Sequence, residues 1–122
     1  GNCQNTNSSY GGTSDIKLKQ DIIDANSQWD DIKQIRVRKF RFKKQVEVDE
    51  NAPYLLGVVA QEIETTSPNL VEEVSDKNKD GTESTTKSVK YSVIYMKAVK
   101  ALQEAMARIE LLEDRINKLE NK

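Results

Sequence analysis

The chain reads as an α+β protein: a small mixed head of short strands and helices, followed by a long C-terminal helix that forms a trimeric coiled coil. Three observations predict this. Short apolar runs with strand alternation or helical spacing are scattered between turn residues up to about residue 91. From Ser92 to Glu120 no Gly or Pro interrupts a helical pattern. Finally, of 122 residues only 36% are apolar and 32% are charged, so a lone chain buries a small core and gains stability by associating.

Net charge is -1, which excludes a general affinity for nucleic acid or anionic membrane. Cys3 is single, which rules out an internal disulfide and any metal-ligand spacing of cysteines. It is expected as an unpaired thiol. No apolar run approaches the length of a membrane span, and Gly1-Asn2-Cys3-Gln4 lacks the regions of a signal peptide. No cofactor and no membrane partner are expected.

Residues 1–13 are Asn, Ser, Thr and Gly with one Tyr and are expected to be the polar tail of a larger upstream protein. Residues 14–91 are expected to form the head. Asp15 to Lys19 alternates, with Ile16 and Leu18 on one side, which predicts a strand bracketed by Ser14 and Lys19. Asn26 or Ser27 caps a short helix carrying Trp29, Ile32 and Ile35. A second strand is expected over Arg36 to Val46, with Phe40 and Phe42 on its buried face, and a doubly covered core strand over Leu55 to Ala60. A helix over Gln61 to Thr66 must end before Pro68. Two more strands follow, over Leu70 to Val74 and Lys87 to Tyr91.

Residues 92–122 are expected to be the trimerisation helix, capped by Ser92. Tyr95, Ala98, Leu102, Ala105, Ile109, Leu112, Ile116 and Leu119 repeat in alternating steps of three and four, a heptad seam. Ile at a and Leu at d alone favour a parallel dimer. Two repeats of Arg, apolar, two free positions, apolar, Glu shift the balance to a trimer: Arg108-Ile109-Glu110-Leu111-Leu112-Glu113 and Arg115-Ile116-Asn117-Lys118-Leu119-Glu120. In that pattern the g-position Arg108 and Arg115 cover the seam and pair with the e-position Glu113 and Glu120 of a neighbour. The interface residues are thus Leu102, Arg108, Ile109, Leu112, Glu113, Arg115, Ile116, Leu119 and Glu120, with Val99 and Met106 widening the interface above.

The chain has no His, so nucleophilic chemistry with a side-chain base must use Ser or Thr with Lys. Ser14 and Lys19 are such a pair. The order of Ser14-Asp15-Ile16-Lys17-Leu18-Lys19, Leu56-Gly57-Val58-Val59-Ala60-Gln61-Glu62, Ser67-Pro68-Asn69-Leu70-Val71 and Val89-Lys90-Tyr91-Ser92, ahead of a coil, resembles the self-cleaving intramolecular chaperone of endosialidases and other phage tailspikes and fibres. The resemblance implies a homotrimer that assists folding of the upstream polypeptide in the host cytoplasm and then releases itself, leaving the parent protein in the virion tail. It implies Ser14 as nucleophile of a serine autopeptidase and Lys19 as its base. Lys17 and Lys90 depart from the residues common in the family without touching that pair.

The cut is expected beside Ser14, at Thr13-Ser14 or Ser14-Asp15. Attack on the Thr13 carbonyl closes a five-membered ring; attack on the other bond is open to a neighbouring chain. A lysine that is to accept a proton near neutrality needs its pKa brought from about 10.4 to about 7, a cost of roughly 4 to 5 kcal/mol, and burial is the means. Trimer assembly is expected to supply it.

Two other signals carry structural readings. Asp76, Asn78 and Asp80 copy the start of a calcium loop, but Lys87 stands where the closing Glu belongs, so a hairpin tip is expected and no metal site. Lys33, Arg36, Arg38, Lys39, Arg41, Lys43 and Lys44 form a basic run. With the aromatics on a buried face it is a solvated row, and a nucleic-acid module is the lesser alternative, as is a trimerisation module that never cuts.

Overall fold

The computed structural model describes residues 12–122; Cys3 and most of the polar lead-in lie outside them. The chain is mixed α and β, with short strands and one long C-terminal helix. It divides into two units, one formed by the chain up to Lys33 together with Lys90–Lys122, the other by Gln34–Val89.

In the second unit, β1 (Arg38–Phe40) pairs antiparallel with β2 (Leu55–Gly57), Lys39 opposite Leu56. Between them lies α2 (Lys43–Val48), so the strand expected over Arg36 to Val46 ends early. Lys43-Lys44-Gln45 are good helix formers, and the chain turns into helix directly after Phe42, with Val46 N–H bonded to the Phe42 carbonyl at 3.1 Å. Phe40 and Phe42 therefore do not share a buried face. They meet edge to face, centroids 5.3 Å apart, and Phe42 is 55% exposed.

The three-residue β2 has one partner strand, and Leu56 is 75% exposed, so Leu55 to Ala60 is neither doubly covered nor the centre of the core. That centre is α3 (Ala60–Glu64), whose Ile63 is 2% exposed, with Leu70 and Ala52 also buried. The helix stops as expected before Pro68: Ser67 N–H closes on the Ile63 carbonyl at 2.8 Å, and Pro68–Leu70 forms a 3-10 turn. Its two flanking carboxylates hold neighbouring elements. Glu62 takes the Arg38 guanidinium of β1 at 3.0 and 2.5 Å, and Glu64 takes Lys87. Arg38 holds the Glu62 carboxyl below its usual range, and Glu64 raises Lys87.

The hairpin of β3 (Val71–Lys77) and β4 (Glu83–Val89) is longer than expected, Val71 opposite Val89 and Lys77 opposite Glu83. Gly81, at φ +87°, occupies the left-handed turn position that glycine tolerates.

In the first unit, α4 (Tyr91–Glu120) runs 30 residues, about 45 Å at the usual rise. It starts at Tyr91, so Ser92 lies inside it and Lys90, rather than Ser92, is the capping position. Against it lies α1 (Trp29–Gln34). Ile94 and Ala101 are buried, whereas Tyr95, Leu102, Ile109, Leu112, Ile116 and Leu119 are each more than half exposed. No described helix is long and apolar enough to cross a membrane.

Candidate functional site

Ser14 and Lys19 meet. The Lys19 Nζ donates to Ser14 Oγ at 2.7 Å, with both residues exposed. The intervening residues are not the expected strand. Ile16–Leu18 is one turn of 3-10 helix, closed by Leu18 N–H to the Asp15 carbonyl at 3.0 Å and Lys19 N–H to the Ile16 carbonyl at 3.1 Å. The Asp15 side chain caps it, accepting from Lys17 N–H at 2.9 Å.

The turn is what makes the pair possible. Five strand steps would separate the two Cα atoms by roughly 16 Å and aim the side chains at opposite faces. The tighter rise of a 3-10 turn, about 2 Å per residue, shortens the path to within reach of a lysine. Alternation of Ile16 and Leu18 was read as strand periodicity, yet both side chains are exposed, at 74% and 66%. They cover nothing in the lone chain, so the alternation carried no information about an internal face. Thr13 and Asp15 flank Ser14, both exposed.

On α4, Glu113, Arg115 and Glu120 stand exposed, and the nearby Lys118 pairs with Asp114 at 3.0 Å. Arg108 has a partner within its own chain: its guanidinium lies 3.8 Å over the Trp29 ring. The same side of α4 anchors the start of α1. Glu104 accepts from Ser27 Oγ at 2.5 Å and from Gln28 N–H at 2.7 Å, and Lys97 reaches Gln28 Oε1 at 2.6 Å and Asp31 at 3.0 Å. Those donors, Ser27 first, hold the Glu104 carboxyl below its usual range. Ser27 thus does sit at the helix start, accepting from Trp29 N–H at 3.3 Å. The anchoring set escaped the sequence reading. Its signal was the run of small residues Ala98, Ala101 and Ala105, which lets another element approach a helix closely.

The basic run is largely engaged internally. Arg36 and Arg38 face Glu62, Arg41 donates to the Glu50 carbonyl at 3.0 Å, and Lys39 and Arg41 flank the Tyr54 ring. In the hairpin tip, Asp76 accepts from Thr86, Asn78 donates to Thr82 Oγ1 at 2.9 Å, and Asp80 accepts from Thr82 at 2.6 Å. Thr82 keeps the Asp80 carboxyl below its usual range. Among the described residues no group of three or more side chains is placed to hold a metal.

Residues 14–72 match the family model described as Chaperone of endosialidase, named Peptidase_S74. This stretch is similar to that family. It supports an endosialidase-type intramolecular chaperone, and the family's name suggests one that is peptidase-like. The matched chaperone stretch begins at Ser14, includes the Ser14–Lys19 turn and α3, and ends at Glu72, before most of the hairpin and all of α4. The chain is also similar to Myelin gene regulatory factor-like A of Dictyostelium discoideum, 26% identical over 117 residues, covering 89% of this chain and 13% of that protein. The chain thus spans only a small part of the length of that relative.

Proposed function

We propose that the chain is a self-cleaving intramolecular chaperone that trimerises through α4, assists the folding of a phage fibre or tailspike polypeptide preceding it, and releases itself beside Ser14. The observation that carries this reading is the 2.7 Å contact of Lys19 Nζ with Ser14 Oγ at the first residues of a stretch matching the chaperone family.

The chemistry follows from that contact. Lys19, once it has lost a proton, accepts the hydroxyl proton of Ser14, and the oxygen attacks the Thr13 carbonyl carbon through a five-membered ring. The carbon–nitrogen bond then breaks, its electron pair and the proton going to the Ser14 nitrogen. An ester remains, and water hydrolyses it to a Thr13 carboxylate and a free Ser14 hydroxyl. Attack by a neighbouring chain's Ser14 would cut Ser14-Asp15 instead. Host cytoplasm during assembly is the proposed place of action. A similar stretch in a relative named as a gene regulatory factor fits a module that different parent proteins can carry.

A trimerisation module that never cuts is the second reading, favoured by the exposure of both Ser14 and Lys19, a pair from which nothing in the lone chain excludes water. The test is to express the chain behind its natural preceding polypeptide as wild type, Ser14→Ala and Lys19→Ala. Two fragments on a denaturing gel from wild type alone, with masses locating the cut beside Ser14, are expected. Uncut wild type in a sedimenting trimer would leave the second reading; a dimer or monomer would undercut both.

A further inference from the structure

The anchored α1 changes what the upper part of α4 can contact. In a parallel coil a g residue faces the e residue five positions along in the neighbouring helix. With Ile109 at a, these couples along α4 are Ile94 with Val99, Ala101 with Met106, Arg108 with Glu113, and Arg115 with Glu120. The lower two are charge pairs. The upper two are apolar, and at the g position of the second stands the smallest side chain of the set, Ala101.

Ala101 is not bare: it is 8% exposed, at the floor of an open groove of about 420 Å3 walled by Trp29 and Ile32 of α1 and by Ala98, Leu102 and Ala105 of α4. Arg108, lying over the Trp29 ring, and Glu104, capping the start of α1, fix that wall in place. Met106 of the same helix meanwhile stands 53% exposed and Val99 43% exposed, where a simple surface helix would carry polar residues.

We propose that the groove between α1 and α4 is a docking site for a second copy of this chain, and that the Met106 side chain of that copy fills it. This rests on the trimer reading and adds to it: in the upper heptads the interface is helix against a helix-and-Trp29 groove, and only below Arg108 is it a plain charged-rim coil. Three facts select the occupant. The heptad register puts Met106 opposite Ala101. The groove is apolar, like the residue offered to it. A flexible thioether also suits an irregular cleft walled by an indole.

The chain has one Trp, so Trp29 emission reports on the groove directly. In the full chain, raising the concentration through the association midpoint seen by sedimentation is expected to shift Trp29 emission to the blue. Met106→Ala should raise that midpoint roughly tenfold or more and, at concentrations where it still assembles, lose most of the shift. Met106→Leu should keep both, and Leu111→Ala, off the seam, should change neither. Met106→Ala assembling at the wild-type midpoint with the wild-type shift would overturn the proposal and spare the trimer. A wild-type chain that stays monomeric would overturn the trimer reading itself.

Discussion

If a single 3-10 turn sets the Ser14–Lys19 distance, loosening that turn should slow cleavage without touching either reacting group. Asp15→Ala does this. It removes the acceptor that holds Lys17 N–H at 2.9 Å and leaves the turn with its two backbone closures, at 3.0 and 3.1 Å. A lost cap of this kind costs about 1 kcal/mol, which lowers the population of a marginal turn by up to about fivefold. The open form contributes nothing, because five extended steps put Lys19 some 16 Å along the chain from Ser14. The assay is the rate of fragment appearance on a denaturing gel, with the preceding polypeptide attached. Asp15→Asn and Asp15→Ser, which keep a capping oxygen, should cleave close to the wild-type rate. If Asp15→Asn were as slow as Asp15→Ala, the carboxylate would matter for its charge rather than its capping oxygen, and if Asp15→Ala cut as fast as wild type the cap would not set the distance. Either result would refute the geometric argument.

Other outcomes follow from the packing. Ile63→Ala empties the most buried core position among the described residues and should cost about 3 kcal/mol, read as a lowered urea midpoint by circular dichroism. The Glu104 carboxyl is held below its ordinary value of 4.5 by Ser27 and Gln28, with Lys100 and Arg108 also facing it. Its contribution is therefore full above that value and is lost as pH falls through the lower folded one. Acid titration of Trp29 emission should show the α1 anchor releasing there, and Glu104→Gln should flatten that step. Leu18→Ser, on an exposed side chain of the turn, should leave the lone chain's stability within about 0.5 kcal/mol; in the assembly it should slow cleavage while sedimentation still shows a trimer.

The sequence made legible whatever is written in long or strongly punctuated patterns. The long C-terminal helix followed from its unbroken heptads, although it starts at Tyr91 rather than behind a Ser92 cap. Likewise α3 followed from its Pro68 stop, and the hairpin's existence, though not its length, from the two runs on either side of its tip. The errors came from short runs. Ile16 and Leu18 alternate as in a strand, but alternation identifies a strand only when one face is covered, and here neither side chain is. Leu55 to Ala60 looked like a core strand because it is continuously apolar, although only three of its residues pair, and with one neighbour. The pairing of Ser14 with Lys19 was foreseen from chemistry and family order while the local structure assigned to the stretch would have kept the two apart. The anchor of α1 on α4 was not foreseen because Ser27, Gln28 and Glu104 are linked across 76 residues, a separation no local pattern encodes.

Distance and protonation are separate requirements of the proposed reaction, and residues 14–19 meet the first of them by themselves. Distance is local: six consecutive residues and one capping carboxylate bring nitrogen to oxygen. Protonation is not, since in the present contact the amine donates to Ser14, the reverse of what a base must do. A base must instead accept from Ser14, an arrangement that residues 14–19, all exposed, do not make alone. The apolar side chains near the pair in sequence, Ile16, Leu18, Ile22 and Ile23, are all exposed, an arrangement that is costly in a lone chain and useful where another surface covers them. The contact is thus complete in the lone chain, and the proposed dependence of cleavage on assembly turns on what covers these four side chains.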